Sequence, residues 1–132
     1  METEPGAVAY LKNLSKKNTK LTVVDELLPN ISTHKAFSVV ICEMVLHFLN
    51  KDEVKQSIVQ MQKHTRFDGL NVISSYVEQD SIHQDERMVG YFSYLLKPGE
   101  LDQWYKDWDI LYNELKVNKM GHKSIRFIAR RK

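Results

Sequence analysis

The 132 residues carry nineteen Lys and Arg against seventeen Asp and Glu, a formal net charge of +2, and 42% of them are hydrophobic. That supplies one domain with a core, residues 1–132, and too little chain for two. The mixed signs exclude a nucleic-acid footprint, and no stretch approaches the roughly eighteen apolar residues of a membrane span. The single cysteine, Cys42, sits in an apolar run, makes no internal disulfide and suits a reducing cytoplasm, and the N-terminus lacks the apolar segment of a signal peptide.

In chain order, Pro5 with Val8, Leu11 and Leu14 on one stripe predicts a short amphipathic helix ending near Asn18. Leu21–Val24 has the β-branched density of a strand, closed by a turn at Pro29-Asn30. Phe37–Cys42, "FSVVIC", is apolar without alternation and predicts a strand covered on both faces, as in a parallel sheet. Asn50 with Glu53 marks a helix start, and Val54, Ile58 and Met61 form its inner face. Asp68-Gly69 predicts a turn into a strand over Leu70–Tyr76, and the polar "EQDSIHQDERM" reads as a surface loop or lid.

Pro98-Gly99-Glu100 opens a helix on which Leu101, Trp104, Tyr105 and Trp108 recur at helical spacing, as core anchors rather than a stacking platform. Asp109–Val117 and Ser124–Arg130, joined by a turn at Asn118–Lys123, predict an antiparallel hairpin, with Arg126, Arg130, Arg131 and Lys132 as a solvated end. His34, His47, His64, His83 and His122 lack ligand spacing, so no metal site is expected. The alternation defines an α/β fold, mostly parallel, with an antiparallel edge.

Three segments, "FSVVICEMVLHFLNKDEV", "MQKHTRFDGLNVISSY" and "FSYLLKPGELDQWYKDWDILYNE", occur in the order in which the C-terminal half of a class I S-adenosylmethionine-dependent methyltransferase carries them. From Phe37 onward the sequence resembles that fold, in particular the TehB-type tellurite-resistance enzymes. The resemblance implies a Rossmann-like sheet ordered third, second, first, fourth, fifth, seventh, sixth, with S-adenosylmethionine across the carboxyl ends of the strands. Phe37–Cys42 would be the fourth strand. The family's first strands and Gly-rich cofactor loop have no counterpart, for none of the five glycines forms a G-x-G turn. The expected fold is therefore truncated, and its activity alone absent or weak.

The resemblance places Asp25, Cys42, Glu43 and Met44 at the cofactor, and His122 and Lys123 nearest the acceptor, while on the residues alone Asp25 reads equally as a strand-end or turn aspartate. Glu43 departs from the small polar residue expected there. Cys42 is more simply a small buried residue than a nucleophile. A fourth strand without its neighbour presents unpaired backbone groups, which Leu21–Val24, a homodimer or a complementing subunit would have to cover along Phe37–Cys42; a homodimer or an exchanged assembly is the expectation. The competing expectation is a non-enzymatic oligomeric module built on the same half-fold.

Overall fold

The structure is a computed structural model describing residues 5–24, 26 and 28–132, and it comprises two compact units, residues 1–33 and 34–132. In the first unit α1 spans Pro5–Lys17, with proline at the first helical position and Lys16 and Lys17 in the last turn, where a cation complements the helix dipole. Val8 is buried. The strand expected at Leu21–Val24 does not form. β-branched residues favour an extended backbone, but only a neighbouring ladder makes a strand of it, and no described residue pairs with this stretch. Asp25 lies outside the described residues.

The second unit is a four-stranded sheet ordered β1-β2-β4-β3, where β1 is Phe37–Glu43, β2 Thr65–Tyr76, β3 Asp109–Val117 and β4 Lys123–Arg130. β1 and β2 are parallel, whereas β4 is antiparallel to both β2 and β3. This is the order of the last four of the seven expected strands. The hairpin falls where its alternation placed it.

Between β1 and β2 lies α2, Lys51–Lys63. Its start is a capping box: Glu53 N–H donates to Asn50 Oδ1 at 3.0 Å and Asn50 N–H to Glu53 Oε2 at 2.8 Å. Asn50→Ala is expected to lower stability by about 1 kcal/mol, read as a shifted denaturation midpoint at unchanged slope. Val54, Ile58 and Met61 pack against one sheet face with Cys42, Ile73, Phe127 and Ala129. The helix expected after Pro98 is only one turn, α4, Glu100–Trp104. From α4 and the residues just after it, Leu101 and Tyr105 are buried in the same core, and Trp104 and Trp108 pack partly buried against it.

β1 departs from expectation in its surroundings. It is an edge strand whose Val40 and Cys42 face the core while Val39 and Ile41 are 47% and 65% exposed. The apolar run is thus covered on one face only. Its entry is shaped by a bulge: Phe37 pairs with Thr65, yet Val39 pairs with Leu70. The extra β2 residues turn through Asp68 at φ 62° and Gly69, where a Cβ would lie 2.8 Å from Arg66 O and 2.9 Å from Ser38 O. Only glycine allows that approach.

The basic terminus is not wholly solvated. Arg131 is half-buried and its guanidinium donates to the carbonyls of Gln62 and Thr65, the end of α2 and the start of β2. Its backbone N–H bonds Gly69 O at 2.9 Å, fixing the bulge from the other side.

Candidate functional site

In an open α/β sheet a ligand lies beyond the carboxyl ends of the parallel strands, here Glu43 and Tyr76. At the end of β1 the chain turns sharply through Met44, at φ 52°, with its N–H held by Ser74 O at 2.8 Å. A left-handed methionine is sparsely populated backbone, of the kind that gathers at ligand sites. The turn feeds a 3₁₀ segment, Leu46–Phe48, which brings His47 back over β2.

His47 is 2% exposed. Its Nδ1 lies 3.1 Å from Ser75 Oγ and accepts from Tyr76 N–H at 3.4 Å, so the ring proton sits on Nε2. Burial pushes its pKa down to about 4, leaving the imidazole neutral at pH 7. Rings of Phe48, Tyr76 and Phe92 surround it at centroid distances of 4.4, 5.1 and 4.7 Å. Phe48 and Tyr91 expose much of their surface, so the carboxyl ends carry an aromatic wall open to solvent.

Tyr76 links this wall to His122, whose ring meets it edge-on at 6.3 Å. His122 is buried, with Nδ1 3.2 Å from Ser81 Oγ and Nε2 3.0 Å from Asp85 Oδ2. Asp85 also accepts both guanidinium bonds of Arg87, which hold its carboxyl well below the usual carboxylate range. The predicted loop is therefore anchored: it contains a helical turn, α3 at Asp80–Gln84, buries Ile82 and is tied to the β3–β4 turn through His122. His122 positions this segment, and no free imidazole face remains for an acceptor. Lys123 contributes backbone only, its N–H and C=O bonded to the Gln79 amide, while its side chain is exposed.

Cys42 belongs to the core, where burial pushes its thiol up to about 11, too protonated at pH 7 for a nucleophile. Glu43 turns to the opposite sheet face and pairs with Arg126 at 3.1 Å. That face holds a shallow cleft of about 170 Å³ bordered by Ile41, Glu43, Ser74, Tyr112, Arg126 and Ile128. Ser74 Oγ is buried in it without a partner. Among the described residues no group of three or more metal-ligating side chains occurs, and no helix is long and apolar enough to cross a membrane.

A glycine-built cofactor loop brings backbone amides close by omitting Cβ atoms, and Gly69, Gly90, Gly99 and Gly121 form no such loop. Of these four, only Gly69 is tightly packed, toward the amino end of β2; around the other three a Cβ would meet nothing. The aromatic wall was not foreseen, because a lone histidine in "EMVLHFL" reads as an ordinary core residue; the unbroken apolar flanks were its only signal.

The topology is that of the S-adenosylmethionine-dependent methyltransferases. The N-methyltransferase NodS of Bradyrhizobium japonicum, bound to S-adenosyl-L-homocysteine, superposes on 98% of this chain and 64% of its own at TM-score 0.74 and 13% identity. The crystal structure of TehB from Haemophilus influenzae gives TM-score 0.74 over 99% of this chain and 48% of its own, at 24% identity. The family described as "Tellurite resistance protein TehB" matches residues 3–126. A Haemophilus influenzae relative described as "Probable S-adenosyl-L-methionine-dependent methyltransferase TehB" is 31% identical over 112 residues, 82% of this chain. This chain belongs to the TehB family. It spans 37% of the length of that relative.

Proposed function

We propose that this chain supplies the acceptor side of a TehB-type methyltransferase site and works in methyl transfer only with a cofactor cradle provided by residues beyond these 132. The observation that carries the proposal is the pairing of the left-handed Met44 turn with the aromatic wall around His47, both at the carboxyl ends of β1 and β2. S-adenosylmethionine supplies an already electrophilic methyl group, so the protein's task is alignment and exclusion of water. Phe48, Tyr76 and Phe92 provide an apolar wall for an acceptor. A His47 that stays neutral at pH 7 adds no positive charge beside a sulfonium.

The test is a chimera of the Haemophilus influenzae relative in which residues 37–132 replace the matching segment. Calorimetric titration with S-adenosylhomocysteine is expected to give about one site per chimera and no saturable heat for residues 1–132 alone. A folded chimera silent to the ligand sinks the proposal, as does one-site binding by the 132 residues alone. A second reading, an oligomeric module without enzymatic work, is favoured by the bare edge of β1 and predicts a chimera that folds but never binds.

A further inference from the structure

Residues 78–92 meet the β3–β4 turn through a chain of side-chain hydrogen bonds in which each proton is assigned by what its neighbours can accept. Gln79 sets the first one. Its Nε2 donates to Val77 O at 2.9 Å and to Lys123 O at 2.7 Å, and its Oε1 accepts Lys123 N–H at 2.6 Å. A flipped amide would set donor on donor and acceptor on acceptor. Ser81 Oγ lies 2.8 Å from the same Oε1, and a carboxamide oxygen only accepts, so the single hydroxyl proton points there. Ser81 Oγ must then accept from His122 Nδ1 at 3.2 Å. On the other side of the ring Nε2 lies 3.0 Å from Asp85 Oδ2. Arg87 donates to both Asp85 oxygens and holds that carboxyl well below the usual carboxylate range, which leaves it ionised and able only to accept. Both ring nitrogens of His122 therefore carry hydrogen.

We infer that His122 is an imidazolium whose second proton latches residues 78–92 to the β3–β4 turn, and that loss of this proton as pH rises loosens the loop. A neutral ring has one N–H for two acceptors. Whichever nitrogen gives its proton up, Asp85 or Ser81 then faces a lone pair, at a ring only 2% exposed where solvent does not take the partner's place. Among the described residues the groups facing this ring are few. Asp85, with Arg87 behind it, comes from the loop, Ser81 from α3, and the Tyr76 ring from β2, edge-on at 6.3 Å. In its own turn Asn118 Oδ1 accepts the His122 backbone N–H at 3.0 Å, and the Lys123 side chain is exposed. The latch reaches the aromatic wall through the backbone: Asp85 O accepts from Met88 and Val89 N–H at 2.8 and 3.0 Å, and Met88 O from Tyr91 N–H at 3.0 Å. Release loosens the limb that bears Tyr91 and Phe92.

The latch does not rest on the methyltransferase reading; only its consequence for an acceptor does. Its test uses the purified chain without ligand, so its outcome is separate from that of the chimera. Long-range proton–nitrogen correlation spectra of the labelled chain at pH 6 are expected to show His122 with both ring nitrogens protonated. One bare ring nitrogen in the folded chain at that pH overturns the inference. Amide exchange gives the mechanical readout. Between pH 6 and pH 9, with intrinsic exchange rates divided out, protection of the Met88, Val89 and Tyr91 amides is expected to fall about tenfold or more, while Ile73 and Phe127 in the sheet keep theirs. Equal protection of the three loop amides at both pH values refutes the latch. Ser81→Ala removes the acceptor that demands the second proton, so in this variant the tenfold fall is expected to disappear; its persistence would equally overturn the assignment.

Discussion

Acidification from pH 6.5 to pH 4 is expected to cost the folded chain about 3 kcal/mol through His47 alone. In the unfolded chain this histidine titrates near 6.5; in the fold, burial lowers it to about 4. Below pH 6.5 the unfolded state takes up a proton that the folded ring refuses, so stability falls with pH and the His47 contribution is gone near pH 4. Asp85, held low by Arg87, acts at the acid end of the curve, where its contribution is lost only as pH falls below the ordinary carboxylate range. The two windows are separable. Urea denaturation at pH 7.5, 5.5 and 4.5, on wild type and His47→Phe, measures the difference: the ring-preserving variant flattens the upper part of the slope. An equal slope in both proteins would show that His47 titrates as in the unfolded chain.

The second large effect comes from Asn71, fully buried between β2's neighbours. Its Oδ1 accepts from Thr65 Oγ1 at 2.6 Å and its Nδ2 donates to Tyr105 Oη at 2.9 Å, with Thr65 Oγ1 also 2.7 Å from Met61 O. One amide thereby joins the end of α2, the start of β2 and the residue after α4. Asn71→Ala leaves the Tyr105 hydroxyl alone in the core and opens a void, a loss of about 3 kcal/mol. Tyr105→Phe removes a single bond and is expected to cost about half as much. Denaturant midpoints of the two variants check the order; a milder Asn71→Ala would mean that water enters and satisfies the orphaned groups.

What could be read in the sequence follows from the range of the interactions involved. The Asn50 cap and its Glu53 partner are three residues apart, and the strand Asp109–Val117 has its alternation and turn within one hairpin; both were legible. Leu21–Val24 was not, because its strand character depends on a ladder elsewhere in the chain. Similarly, "FSVVIC" announces a strand suited to burial, while its actual exposure depends on which neighbours are present. At the site, Cys42, Glu43 and Met44 do stand at the end of β1, yet their side chains diverge, Cys42 into the core and Glu43 to Arg126. His122 was placed near the acceptor; its burial against Asp85 arises from a contact spanning 37 residues that no local pattern marks. Arg131 is the same case, a terminal arginine turned inward onto α2.

The sheet order also bears on biosynthesis. β4 follows β3 in the chain but lies between β3 and β2. A nascent chain that has released β3 and not yet β4 holds two unjoined halves, and Phe127 and Ala129, which complete the core, are still in the ribosome. β3 has no ladder partner in this sheet but β4, so closure waits for β4 to pair with β3 and β2 together, and the interval before that pairing is when a ribosome-associated chaperone has most to shield.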